Sequence, residues 1–120
     1  MRHVFIFLAI LCLSCNTASD LRRWYAPTDG TARMLKSPDQ VTVFETEPAD
    51  RHFTVIGIFA PPAEAFRSVG EAINAARRAA ALYGADAVIV DTIDTVPLER
   101  VSILEPSAGI NFRARAIVWR

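Results

Sequence analysis

Ser68-Val-Gly-Glu-Ala-Ile-Asn-Ala-Ala-Arg-Arg-Ala-Ala-Ala-Leu-Tyr-Gly84-Ala-Asp-Ala-Val-Ile-Val-Asp91 is the stretch on which the fold turns. It reads as a helix, a glycine stop and a buried strand. Phe66, Val69, Ile73, Ala76, Ala80 and Tyr83 recur at spacings of three and four, which places them on one helical face. Glu71, Asn74, Arg77, Arg78 and Ala81 fall on the other. Ile73 is expected at the centre of the helix–sheet contact. Ser68 and Glu71 have capping-box spacing, so hydroxyl and carboxylate can each satisfy an orphan backbone N–H. Gly84 suits the left-handed position that closes a helix. Ala87-Val-Ile-Val90 is then a short, β-branched apolar run, as in a strand buried on both faces.

Upstream of the helix, Val41–Thr46 alternates weakly and is rich in β-formers, and His52–Ala60 reads as a second strand. The connection Glu47-Pro-Ala-Asp50 is short, which predicts an antiparallel hairpin. Gly57 inside the second strand suggests a bulge or a closely packed neighbour. Pro61-Pro62 ends that strand, because proline donates nothing to a ladder. Downstream, the strand over 86–95 gives way to an irregular, proline-punctuated 96–110, in which Val101–Leu104 suggests a brief strand. Asn111–Trp119 is the last strand. Phe112, Ala114, Ala116 and Val118 take one of its faces, and Arg113, Arg115, Ile117 and Trp119 the other.

These elements predict an α+β domain over 39–120. Its sheet is four-stranded and mostly antiparallel, in the order β-β-α-β-β, with one long helix (about 68–83) on one face. With 120 residues, the chain has room for one domain. Lys+Arg and Asp+Glu both total 13. A nucleic-acid partner would require a basic excess on one face, and none is visible.

The N-terminal part sets location. Arg2 precedes the unbroken apolar run Val4–Leu13, which is too short to span a bilayer and right for the core of a signal peptide. Residues 1–14 are read as that signal peptide and 15–38 as a tether rich in turn formers. Within the tether, Leu21-Arg-Arg-Trp-Tyr25 suits a membrane interface, a partner or packing onto the domain. Both cysteines, Cys12 and Cys15, precede the domain, so it can hold neither a disulfide framework nor a cysteine-based metal site.

Leu13-Ser14-Cys15 resembles a bacterial lipobox, departing from it where Cys12 stands in place of the preferred leucine. The resemblance implies that Cys15 becomes the first residue of the mature chain and carries acyl groups on its thiol and amine. Asn16, in place of the aspartate that marks inner-membrane retention in many such proteins, implies sorting to the outer membrane, facing the periplasm. The lipobox, the tether, Val41-Thr-Val-Phe44, the Gly57 strand, Ala80–Asp86 and Ala114-Arg-Ala-Ile-Val118 together resemble small bacterial envelope lipoproteins with a β-β-α-β-β domain. Related domains occur in the Rcs-pathway sensor lipoprotein and in small domains labelled heavy-metal-binding. The sensor's domain disulfides have no counterpart here, and no ligand set matches the metal label.

Site chemistry is sparse. His52 is the one histidine left once the leader is removed, and a transition-metal site wants two or more N or S donors. Asp86, Asp91 and Asp94 could offer oxygen ligands, but Asp91 and Asp94 are expected on opposite strand faces. No serine has a histidine partner other than His52, no nucleophile elbow is present, and no glycine-rich loop precedes the helix. The expected function is therefore a non-catalytic, cofactor-free, lipid-anchored envelope protein. It would bind the membrane through Cys15 and an envelope protein through a sheet face. The alternative is a periplasmic small-molecule- or metal-binding domain. Because both faces of the predicted sheet carry apolar side chains and one helix can cover only one of them, Val88, Val90, Ile117 and Trp119 are the expected partner surface.

Overall fold

Two strands run side by side through the middle of the sheet: β4 (Ala87–Leu98) and β5 (Ser107–Trp119), an antiparallel pair in a computed structural model that describes residues 18–98 and 107–120. The sheet has five strands in the order β1-β3-β5-β4-β2, where β1 is Tyr25–Pro27, β2 Thr42–Phe44 and β3 Phe53–Phe59. A short helix α1 (Ala18–Arg23) precedes β1, and the main helix α2 (Val69–Leu82) links β3 to β4. The fold is α+β with one main helix, as the sequence predicts, but the sheet gains a fifth strand from the predicted tether. Residues 18–36 therefore belong to the domain: Leu21 and Tyr25 are core residues, and Trp24 packs edge-on against Phe59 and Phe66. Cys15, the signal peptide and the expected Val101–Leu104 strand lie outside the described residues.

The expected β2–β3 hairpin does not form. β2 pairs with β4 in parallel, Thr42 opposite Ala87 and Phe44 opposite Ile89, whereas β3 pairs with β1 and β5. The three residues of β2 pair with β4 instead, with Val43 half-buried against the core under α2 and Phe44 at the rim of the second-face cluster. Strands β2, β3 and β4 run parallel to one another, so two crossovers are required. One is α2, on the first face of the sheet. The other is the segment 45–52, which packs on the second face: its Glu47 carboxylate pairs with Arg115, and its Arg51 guanidinium lies 4.2 Å from the centre of the Trp119 ring.

Two bulges set which side chains reach which face. On β3, Ile56 and Gly57 together oppose Ala116; on β4, Asp91 and Thr92 together oppose Arg113. A bulge shifts the alternation by one, so Phe53 and Val55 lie on the second face while Ile56 and Phe59 both lie under α2. Gly57 serves both expected purposes. It sits in the bulge, and the Tyr25 ring of β1 packs where its side chain would be, so a Cβ there would overlap the phenol. The β4–β5 hairpin also runs further than predicted, with Leu98 opposite Ser107. Pro97 is accommodated because β4 is paired on one side only at that height.

Helix α2 begins and ends as its sequence predicts. The Ser68 hydroxyl accepts from the Glu71 N–H at 3.2 Å, and the Glu71 carboxylate accepts from the N–H of Arg67, one residue before the cap, at 3.2 Å. Gly84 has φ 75°, and its N–H bonds Ala81 O while that of Ala85 bonds Ala80 O, which is a Schellman closure. The buried stripe, however, is rotated from the predicted one. Ala72, Ala75, Ala76, Ala79 and Ala80 face the sheet, and Ile73, Val69 and Tyr83 flank it half-buried. Ala81, expected on the polar side, is buried because α1 and the segment around Lys36 pack over that side of the helix.

Small residues on the helix meet Ala114 and Ala116 on β5, and large ones fill the margins, so the two layers approach closely. Ala76→Leu is expected to cost about 1–3 kcal/mol by overpacking this contact. Ile73→Ala, at a half-buried flank, is expected to cost about 1–2 kcal/mol. Urea denaturation of the two variants checks the register: a larger loss at 73 than at 76 would return Ile73 to the centre of the contact.

Candidate functional site

The residues expected to form a partner surface are divided between the two sheet faces. Val88 and Val90 are buried beneath α2 with Ile56, Phe112 and Ala114. Ile117 is fully buried on the second face, in a small cluster with Ala87 and Ile89, rimmed by Phe44, Phe53, Val55 and Trp119. Trp119 is half-buried, edge-on to Phe44 at 5.7 Å and covered by Arg51. The sequence left that face in need of a cover, and the chain supplies it with the 45–52 crossover. The four residues therefore make no common surface.

The carboxylates are held by the fold. Arg115 clamps Asp91 through Nε at 2.9 Å and Nη2 at 2.9 Å, and reaches Glu47 through Nη1 at 2.7 Å. This fastens the crossover to the sheet, and the paired carboxylates hold the guanidinium above its ordinary pKa. Asp91 and Asp94 share the second face, contrary to the expectation of opposite faces, because the bulge at Asp91 turns its side chain toward Arg115 and Asp94 stands opposite Asn111. Among the described residues no three His, Cys, Asp or Glu side chains gather as a metal site would need. His52 is exposed, and its carbonyl accepts from the Arg120 N–H.

Asp86 is the acid whose carboxylate joins two different elements. Its carboxylate accepts from the Trp119 N–H at 2.8 Å and from the Lys36 ammonium. Burial pushes this carboxyl up, but the bonds from Lys36 and Trp119, with help from Arg51, outweigh that and hold it below the usual carboxylate range.

Lys36 belongs to the feature that the sequence concealed. Residues 33–36 form a strap across the C-terminal end of α2. Its backbone lies where a Cβ on Gly84 would come within 2.6 Å of Met34 O. One shoulder is the Arg33 guanidinium, which gives two 3.0 Å bonds to the Asp29 carboxylate. The other is Lys36, through its ammonium to Asp86 and its N–H to Ala81 O at 2.9 Å. Between the shoulders, Met34 is 87% exposed and Leu35 60%. A cleft of about 260 Å³ on one side of the strap is lined by Leu21, Leu35, Lys36, Arg78 and Leu82. On the other side a cleft of about 350 Å³ runs along Asp29–Arg33 to Tyr83. Beneath lies Tyr25, stacked on Tyr83 at 4.0 Å. Burial, with the neighbouring Tyr83 and Asp29, keeps its phenol well above the ordinary value. Two adjacent apolar residues in a turn-rich stretch were the only trace of this surface in the sequence.

No family model and no curated relative matches the chain. Among solved structures, the crystal structure of the Francisella virulence factor FvfA is similar in fold. The match has 19% sequence identity and a TM-score of 0.54, and covers 77% of this chain and 92% of that one. At that identity the likeness is one of backbone architecture.

The Asp86 pairing has a pH signature. The carboxyl is depressed in the folded state, so its contribution is complete above the unfolded value of about 4 and is lost as pH falls through the lower folded value. Asp86→Asn is expected to lose about 1–2 kcal/mol at neutral pH. The gap to wild type should close progressively below about pH 4 in denaturant melts. A gap that stays constant down to acid pH would mean that the ionised carboxylate contributes nothing.

Proposed function

We propose that this chain is a lipid-anchored, non-catalytic protein of the bacterial cell envelope. Acylated Cys15 holds it in the outer membrane, and its α+β domain sits in the periplasm to bind or position another envelope component. The observation that carries this reading is the N-terminal sequence: Arg2, the apolar run Val4–Leu13, then Leu13-Ser14-Cys15. The run is too short for a spanning helix, and the cysteine stands where a lipobox places it. Two acyl chains or more give stable attachment without a polybasic patch, which suits a chain whose charges balance.

Two structural observations support the non-catalytic part. Asp29, Asp86, Asp91 and Glu47 are engaged in ion pairs that fasten the strap and the crossover, which is structural work. The clefts beside the strap are lined mostly by apolar residues, and of their charged ones Lys36 is paired with Asp86 and Asp29 with Arg33. The likeness to the Francisella protein contributes the shared fold.

Expression of the full chain in a Gram-negative host tests the anchor. The mature N-terminus is expected to be Cys15 with the mass of its acyl groups, fractionating with outer membranes. Cys15→Ala should accumulate as unprocessed precursor. A mature N-terminus at any other residue overturns the reading.

A further inference from the structure

The strap raises a question that the fold alone leaves open. Met34 and Leu35 are large, apolar, adjacent and exposed, and the residues on either side of them, Arg33 and Lys36, are held in ion pairs. Exposing such a pair on a fixed backbone is unfavourable in water, so the arrangement fits a surface that meets something apolar.

The position of the strap relative to the anchor says what that is. Leu35 and Leu21 line one cleft, so the strap stands beside α1. Helix α1 begins at Ala18, three residues after Cys15. Even fully extended, three residues reach no more than about 11 Å. The polar headgroup layer on each side of a bilayer is roughly 5–8 Å thick. A Cys15 held at the membrane surface therefore brings α1, and the strap beside it, to the headgroups. The charges nearby are mostly paired, Arg23 with Asp20 and Lys36 with Asp86, so the apolar side chains and the short reach to Cys15 carry the argument.

We propose that the strap Arg33–Lys36 is a membrane-seating surface, its Met34 and Leu35 side chains entering the headgroup region of the bilayer that carries Cys15. The occupant is the phospholipid headgroup surface of that bilayer. The far end of the β4–β5 hairpin, where Leu98 stands opposite Ser107, then lies away from the strap. This inference rests on acylation of Cys15.

The test uses the full chain, processed and acylated in a bacterial host and reconstituted into vesicles of phosphatidylethanolamine and phosphatidylglycerol. Cys12 leaves with the leader and acylation blocks the Cys15 thiol, so Met34→Cys provides a single site for an environment-sensitive dye. Ala49→Cys, exposed on the crossover, is the control. A blue-shifted dye at 34 that is shielded from aqueous iodide, beside an unshifted and freely quenched dye at 49, supports the proposal. Leu35→Asp in the Met34→Cys background should abolish that shielding while the protein stays on the vesicle. Free quenching at 34 in a chain whose Cys15 carries its acyl mass overturns the seating surface and leaves the anchor intact. Absence of acyl mass on Cys15 overturns the anchor and the seating surface together. Shielding at 34 in native envelope membranes but not in pure lipid vesicles would assign the strap to a protein and overturn the lipid proposal.

Discussion

Asp86 holds this fold at the point where most of its parts meet. Its N–H bonds Ile117 O, its carbonyl accepts from the Thr42 N–H, and its carboxylate takes the Trp119 N–H and the Lys36 ammonium. One residue thus joins the exit of α2, the end of β5, the edge strand β2 and the strap. The geometry depends on Gly84 two residues earlier. Its positive φ turns the chain out of the helix so that Asp86 arrives at the head of β4, and its missing Cβ lets the strap cross above. Charge, turn and close approach form one arrangement, and disturbing any of the three disturbs the others.

The layers follow from side-chain size. An alanine stripe on α2 faces a sheet whose central strand offers Ala114 and Ala116, so helix and sheet come close along their centre. Phe59, Phe66, Phe112 and Ile56 then fill the space at the margins, with Trp24 closing one edge. On the second face the core is thinner. The buried set there is Ala87, Ile89 and Ile117, so its cover need not be a helix, and the 45–52 crossover suffices because Arg115 and Trp119 anchor its two ends.

What was legible in the sequence was local. Helix limits, the cap at Ser68, the stop at Gly84, the bulge at Gly57 and the two faces of β5 are set by nearest neighbours along the chain, and their residues announce them. Pairing was not legible. Val41–Phe44 looks the same whether it pairs antiparallel with β3 or parallel with β4, because strand periodicity carries no partner information. The bulges did further damage to the expected faces. The extra residue at Ile56 brings Ile56 to the helix side, and the one at Asp91 puts Asp91 and Asp94 on one face. Val88 and Val90 precede that bulge. They were grouped with Ile117 and Trp119 because alternation within a strand does not say which of its faces matches which face of its neighbour. Pairing sets that match, by placing Val88 opposite Ala116 and Ala87 opposite Ile117. The strap was hidden for a third reason. Thr28–Ser37 has the composition of a linker, and a long-range ion pair to Asp86 and a backbone bond to Ala81 fix its C-terminal shoulder.

That third reason bears on how such a protein is oriented. A flexible tether decouples a domain from its anchor, so that the direction a lipidated cysteine faces says nothing about the domain. Here most of the segment that composition assigns to a tether is built into the sheet as β1 and onto the helix as the strap. Under the reading that Cys15 is acylated, two residues separate it from helix α1, which starts at Ala18. A linker that short transmits orientation: chain length forbids the domain from turning the surface beside α1 far from the bilayer. The same pairing that builds the fifth strand therefore removes the freedom that the sequence seemed to grant.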